Sequence, residues 1–363
     1  MKKPLQLSFL FAMFTVLVAC QPAEAQPVFS SAVDPAIKPV TLPAVEPKTV
    51  ATLSGVIWSF AISPDSSSIA FATSSGLELY DLQTFAHLRA LDPGGDIHSL
   101  AWSPDGSKLA LGLIKAFEDS GQAVLEIWDT STWKISLQPH FDDNLKNERP
   151  IDLAWKPDGT ALALSTDLHG VLVLNSSSGK VISQQSDYPS SVLEVAWSPD
   201  GTRLVSTGDQ YKLRRWKVST GEAVQLYDQR ASNPWHVSWM PDGKRIVSGQ
   251  VYGTICFWTV TTNKCDGFIQ AHRSAIFSLA PSPDGSKLAT GGGIIRIWDT
   301  HTGKLQSAFG LDEKITYNHL GWTSTGRMLA SLQTGLDDPG ITLVRLWDVS
   351  TGLPVAQFKG GKR

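Results

Sequence analysis

The sequence predicts an all-β fold of seven four-stranded antiparallel sheets set radially about an axis, a seven-bladed β-propeller, on three observations. The tetrapeptide Ser-Pro-Asp-Gly and its variants recur with Pro at 64, 104, 157, 199, 241 and 283, and Thr323-Ser324-Thr325-Gly326 is a seventh copy without the Pro. Spacings of 40, 53, 42, 42, 42 and 41 residues give a period near 42, which marks stacked supersecondary units rather than separate domains. Short apolar runs flank every copy in the same order, with turn residues between them and almost no helical periodicity, so each unit reads as four strands. One such sheet cannot bury both faces alone. Seven around an axis cover one another.

Composition agrees. The 363 residues are 42% hydrophobic and 18% charged, enough apolar material for a sizeable core. With 31 basic and 34 acidic residues the net charge is -3, and no run of Lys or Arg forms a stripe able to follow a phosphate backbone, which argues against a nucleic-acid partner.

The elements follow in order within each unit. A first strand such as Val195-Ala196-Trp197 leads into the Ser-Pro-Asp-Gly turn, and a second such as Lys108-Leu109-Ala110-Leu111 leaves it. The third ends on an aromatic in six units, at Tyr80-Asp81, Trp128-Asp129, Trp216-Lys217, Trp258-Thr259, Trp298-Asp299 and Trp347-Asp348, with Leu174-Asn175 the exception. A turn such as Ser219-Thr220-Gly221 then leads to the fourth. Five of the 13 Trp end first strands (Trp102, Trp155, Trp197, Trp239, Trp322) and five end third strands. Candidate outer strands stand at both ends, Lys48 to Leu53 and Pro354 to Lys359, although closing the ring requires only one. The expectation is that the N-terminal one completes the last blade.

With Trp-Asp closing the third strand in units 2, 6 and 7 and the turn recurring sevenfold, the chain resembles the WD-repeat (WD40) family over roughly residues 50 to 359. The resemblance implies a propeller that acts as an interaction scaffold. It is incomplete, because the family's opening Gly-His survives only as Ala271-His272, and the Asp before the third strand is replaced by Gln210, Tyr252 or Gly292. The family's structural His–Asp hydrogen-bond network is therefore expected to be largely missing. The alternative fold is another seven-bladed propeller, of the periplasmic kind, which shares the Pro-Asp-Gly turn.

The N-terminal segment carries an address. Lys2 and Lys3 precede an apolar stretch from Leu5 to Val18, too short for a stable membrane span and shaped like an export signal. It ends in Leu17-Val18-Ala19-Cys20, which resembles the lipobox of bacterial lipoproteins. The resemblance implies a signal peptide over 1–19, a lipidated Cys20 as mature N-terminus, and Gln21 directing the protein onward to the outer membrane of a Gram-negative cell. Ordinary cleavage after Ala23-Glu24-Ala25 is the competing pattern. Six Pro among residues 21 to 48 make 20–48 a tether that tends toward extended, polyproline-like conformation. The propeller then spans 49–363. Without 1–19 the charged groups are 31 − 2 = 29 basic and 34 acidic, a net -5.

The candidate interaction site comes from aligning the first strands. Because each blade is a meander, the Ser-Pro-Asp-Gly turns lie on one face of the disc, and the second-to-third and blade-to-blade loops lie on the other, here called the top. Six residues before the Pro, at the top end of each first strand, stand Trp58, His98, Ile151, Leu193, Trp235, Phe277 and Asn318. Resemblance to the family implies partner contacts at these positions, and Trp58, His98, Trp235, Phe277 and Asn318 are the candidate binding residues, since exposed aromatics carry much interface energy. Read by simple alternation, they share the side of the core residues and merely cap it. Three enlargements fall in top loops, at 116–121, 139–144 and 335–340; insertions on one face of a repeat array usually map to binding.

Catalytic and metal motifs are lacking. The eight His are scattered, with no His-Glu-x-x-His, Cys-x-x-Cys, Gly-x-Ser-x-Gly or Walker loop, so neither a metal nor a cofactor is expected. His98, His236 and His319 occupy neighbouring first-strand positions, which leaves room for a His cluster near the axis. If Val260 opposes Cys265 across their hairpin, Cys256 and Cys265 are offset by four residues, roughly 13 Å, and are expected to be free thiols. The sequence thus points to a membrane-anchored scaffold that binds a protein through its top face. The alternatives are a propeller enzyme or a glycan or small-ligand binder using the same face.

Overall fold

The computed structural model describes residues 47–361 apart from 118–119, 142–148, 169, 187, 189–190, 209–211, 229–230, 232, 311–315 and 335–339. Two compact units are distinguished, 1–30 and 31–363, and every described residue lies in the second. The signal segment, Cys20 and nearly all of the tether lie outside the described residues.

The described strands form seven sheets, six of four strands and one of five, each antiparallel meander following the chain. Blade 1 covers 57–91, blade 2 96–137, blade 3 150–185, blade 4 192–226, blade 5 234–270, blade 6 278–309 and blade 7 316–360. No α-helix occurs among the described residues. Seven hydrophobic clusters fill the seven gaps between adjacent blades, one per gap, the last joining blade 7 to blade 1. The second and third strands are buried on both faces, as in Ala161–Thr166 and Val171–Asn175, which is why they read as continuous apolar runs rather than alternating ones.

The recurring tetrapeptide works as a sequence of hydrogen bonds. In blade 2, Ser103 donates its hydroxyl to Asp105 at 2.6 Å and the Ser107 amide donates to the same carboxylate at 3.0 Å. These donors hold the Asp105 carboxyl down to about 2. The Gly that follows lies in the left-handed region (Gly106 φ 71°, Gly201 φ 66°), and blade 1 places Ser66 there at φ 58°, a conformation that favours Gly.

First-strand Trp residues fasten neighbouring blades. The indole N–H of Trp102 donates to the Ala61 carbonyl of the preceding blade at 3.2 Å, Trp155 to Ala101 at 2.9 Å, Trp197 to Ala154 at 3.0 Å and Trp322 to Ala280 at 2.8 Å. Small residues three before the Pro let the indole reach that carbonyl. The Trp239 indole nitrogen is buried without a partner.

Closure differs from the expectation. The C-terminal strand Leu353–Gly360 completes blade 7 and needs no help, and the N-terminal strand Thr49–Leu53 adds to it as a fifth strand, running parallel to it. Both candidate strands are used because the meander of blade 7 ends on an edge whose amides and carbonyls still need partners. The Ile57 amide, at the start of blade 1, then donates to Thr342 Oγ1 of blade 7 at 2.8 Å. Strand direction fixes a consequence: residues 47–48 stand at the bottom of the disc and Leu53 at the top, where blade 1 begins.

Cys256 and Cys265 form a disulfide, with Cα atoms 5.8 Å apart, instead of two free thiols. The ladder is tighter than a Val260–Cys265 pairing: Thr259 opposes Lys264, Trp258 opposes Cys265, and a bulge at Asp266 leaves Cys256 opposite Phe268. Two ladder steps separate the cysteines rather than four, so they are diagonal neighbours on one face.

Two measurements check these features. Trp197→Phe is expected to lower stability in urea denaturation by about 1 kcal/mol, whereas Trp239→Phe, which removes no bond, changes it less. Thiol titration of the unfolded, unreduced propeller is expected to find neither Cys256 nor Cys265 free, and reduction to lower its stability by about 2–3 kcal/mol.

Candidate functional site

The tops of six of the seven first strands carry a β-bulge, and the bulge builds the site. In blade 1 Ile57 opposes Thr73 and Ser59 opposes Ala72, leaving Trp58 as the extra residue; in the same way His98, Ile151, Leu193, Trp235 and Asn318 are extra in their blades. In blade 6 the Phe277 amide donates to the Gly291 carbonyl while Ser278 pairs with Gly291 as well. An extra residue breaks strict alternation. The residues six before the Pro therefore do not share the core side, as simple alternation would have it, but form a rim at the top. Trp58 is 46% exposed; His98 and Asn318 are exposed, and Ile151, Leu193, Trp235 and Phe277 are half-buried.

The five candidate binding residues occupy five consecutive blades: Trp235 on blade 5, Phe277 on 6, Asn318 on 7, Trp58 on 1 and His98 on 2. Trp235 and Phe277 meet with ring centroids 5.9 Å apart, and Asn318 donates its side-chain amide to Thr334 at 2.5 Å. Blades 3 and 4 complete the rim with Ile151 and Leu193.

Beneath the rim lies a second layer, formed by Ser59, Ser99, Asp152, Glu194, His236, Ser278 and His319; of the three His expected to cluster near the axis, His236 and His319 belong to it and His98 to the rim, while the acids were not foreseen. Asp152, Glu194, His236 and His319 are half-buried, whereas the three Ser are buried. The Glu194 carboxylate lies 3.4 Å from His236 Nδ1. His319 of blade 7 feels the charges of Glu194 and His236, which belong to blades 4 and 5 across the disc. Blades that far apart face each other only along the axis, so these side chains line the central channel. The layer also binds blade to blade, since Asp152 Oδ2 accepts the Val195 amide at 3.0 Å, Glu194 Oε2 accepts the Val237 amide at 2.6 Å and Ser278 Oγ accepts the Leu320 amide at 3.0 Å.

Their environment shifts their protonation. Burial, then the Glu194 charge, push the Asp152 carboxyl well above the usual carboxylate range, against amide bonds from Val195 and Leu153 and the attraction of His236. Burial lowers His319 to about 4, and its ring stacks on Phe60 at a centroid distance of 4.6 Å. Alignment by strand position could have found the acids; what hid them was the bulge, without which the residues five before the Pro fall on the blade-facing side.

A buried polar network survives behind the third strands with altered members. In blade 6 His272 Nε2 is 2.8 Å from Thr290 Oγ1, which accepts the Trp298 indole at 2.9 Å, and Arg296 reaches His272 Nδ1 at 2.7 Å. A side chain at Gly292 would place Cβ 2.6 Å from His272 Nδ1, the nitrogen that Arg296 reaches. Ser248 and Ser331 accept the indoles of Trp258 and Trp347 at 2.8 and 2.7 Å, and Glu126 accepts that of Trp128 at 2.9 Å.

Of the three enlarged loops, the first extends its hairpin. Lys108–Phe117 and Ser120–Asp129 pair along their full length, up to Phe117 opposite Ser120, and rise at the top of blade 2. Residues 118–119, 142–144 and 335–339 of these insertions lie outside the described residues.

The raised Asp152 value sets a pH dependence. The fold favours protonated Asp152, so that contribution to stability is present at low pH and is lost as pH rises through the folded value. Between about pH 5 and pH 8 the denaturation midpoint of the propeller is expected to fall relative to that of Asp152→Asn; parallel profiles would show that Asp152 does not titrate in this way.

Comparison with known proteins agrees with the architecture. The family model for the WD domain, G-beta repeat, matches residues 179–217, 223–259 and 263–299, three consecutive units that include the third strands of blades 4, 5 and 6. No curated protein gives a significant match. Propellers of this family commonly serve as protein-interaction scaffolds and are generally non-catalytic. The chain is thus a seven-bladed β-propeller in which three consecutive repeats match the WD40 repeat.

Proposed function

We propose that this propeller is an extracytoplasmic scaffold, lipid-anchored at Cys20, that presents its top face to a protein partner through Trp58, His98, Trp235, Phe277 and Asn318. The observation that carries the reading is the bulge repeated in six of the seven inner strands, which turns a would-be core position into part of a rim that contains three aromatics. Aromatic side chains held on rigid strands bind at little entropic cost.

Two further features support the exported, tethered form. One disulfide uses Cys256 and Cys265, as suits an oxidising compartment, and Cys20 of the lipobox-like segment is the remaining cysteine. The chain enters the propeller at the bottom of blade 7 through Thr49–Leu53, so the tether joins the disc on the face opposite the rim. An extended tether, at about 3.1 Å per residue, would reach several tens of ångströms. A partner therefore meets the rim without displacing the tether.

Affinity capture from the native membrane fraction tests the scaffold. Partners retained by the wild-type chain are expected to be lost from the Trp58→Ala, Trp235→Ala double variant, provided both melt alike; an unchanged partner set would move the site to the long loops or the outer edge. For the anchor, Cys20→Ala is expected to shift the protein from the membrane to the soluble exported fraction, and retention in the membrane would remove the lipid from the proposal.

A further inference from the structure

The two layers at the top of the channel are lopsided in charge. Among the seven rim and seven channel positions stand two acids and three His, with no Lys or Arg. The acids sit together on blades 3 and 4, and the aromatic pair Trp235 and Phe277 stands on blades 5 and 6 beside them. Trp235 directly precedes His236, whose ring lies 3.4 Å from Glu194. Side-chain exposures of 28% for Glu194 and 25% for His236 show that solvent enters the channel at this layer. Asp152 accepts the Val195 and Leu153 amides and Glu194 the Val237 amide, fewer bonds than a carboxylate can accept.

We propose that the top of the channel receives an ammonium or guanidinium group carried by the protein partner, with Trp235 and Phe277 against its apolar stem and Glu194 and Asp152 as its counter-charges. This rests on the top-face reading above and names the chemistry it selects. A half-buried pair of carboxylates with no Lys or Arg in either layer repels anions and attracts a cation more strongly than the same charges in bulk water. An indole and a phenyl ring beside it favour an organic cation, whose charge and methylenes they both engage. A metal ion fits less well, because no group of three or more His, Cys, Asp or Glu among the described residues is arranged to hold one.

Proton linkage follows from the same arrangement. Asp152 faces Glu194 and His236, and His319 faces Glu194 and His236 from across the channel. The raised Asp152 carboxyl is protonated more readily than an ordinary one, and a seated cation favours its ionised form. Binding therefore expels a proton and tightens as pH rises through neutrality.

The test uses the mature chain and four capped tripeptides, acetyl-Gly-X-Gly-amide with X as Arg, Lys, Leu or Glu, followed by calorimetry or by Trp fluorescence. The Arg or Lys peptide is expected to bind at least about tenfold more tightly than the Leu and Glu peptides, more tightly at pH 8 than at pH 5.5, and to lose about tenfold in Glu194→Gln. Equal binding of all four peptides, or an unchanged affinity in Glu194→Gln, would overturn the proposal. Since Glu194 also latches blade 5, its variant is compared with wild type by thermal melting. Should it not fold, Trp235→Leu, which keeps the carboxylate and its bond, carries the same expected loss. Partner capture that depends on Trp58 and Trp235 without selective cationic binding would leave the scaffold and remove the cation site; selective peptide binding without a captured partner would do the reverse.

Discussion

Everything in this propeller depends on the gap between blade 7 and blade 1 being filled. Each blade is apolar on both faces, so an open row of blades would leave one face of the first and one of the last in water. Leu53, Ile57, Phe60, Phe71 and Tyr80 meet Leu332, Val344, Leu346 and Phe358 in that gap, and burying side chains of this size contributes about 1.5–3 kcal/mol each. The parallel strand Thr49–Leu53 covers the outer edge of the joint, and Thr342 ties blade 7 to the first amide of blade 1. Closure is thus made by packing first and by hydrogen bonds second. The other six gaps repeat the packing, each with at least one Trp, and four of them add an indole-to-carbonyl bond from blade to blade.

A closed ring also creates the surface that functions. Seven inner strands converge on an axis, and there the bulge at the top of six of them sorts side chains into a rim and a channel layer. The rim is mainly aromatic and aliphatic; the channel layer beneath blades 3, 4, 5 and 7 is titratable. Asp152 and Glu194 serve two purposes, since the amide bonds they accept from Val195 and Val237 hold neighbouring blades in register while their charge faces the opening. The carboxylates are kept in place by the fold, and their like charge raises the cost of ionising Asp152.

Much of the architecture was legible in the sequence because repeats average out local ambiguity. One Ser-Pro-Asp-Gly is a turn, but seven at one period, each with the same flanking strands and with Trp102, Trp155, Trp197, Trp239 and Trp322 at one offset, define a ring. What escaped depended on single-residue shifts. The bulge at Trp58 and its counterparts changes which side a residue faces, so alternation alone left the rim open between an interaction ring and a cap on the core, and it hid Asp152 and Glu194 beside the His236 and His319 that strand alignment had already brought together. A ladder two residues tighter than assumed, with a bulge at Asp266, turned two distant cysteines into a disulfide. The fifth strand of blade 7 was hidden for another reason: it pairs with a partner 308 residues away, Thr49 meeting Gln357, and no local pattern distinguishes it from the strand it supplements.

The two faces of the disc differ in kind, one made of tight, self-satisfied turns and the other of bulged aromatics, a long hairpin on blade 2 and an acidic channel. Use of the top face for a protein partner is tested most directly by photo-crosslinking in intact cells, with a photoreactive residue placed at Trp58 in one variant and at Asp242, in a bottom turn, in another. Crosslinked protein partners from position 58 and none from position 242 is the predicted result. Partners captured from 242 alone would place the interaction on the opposite face and contradict it.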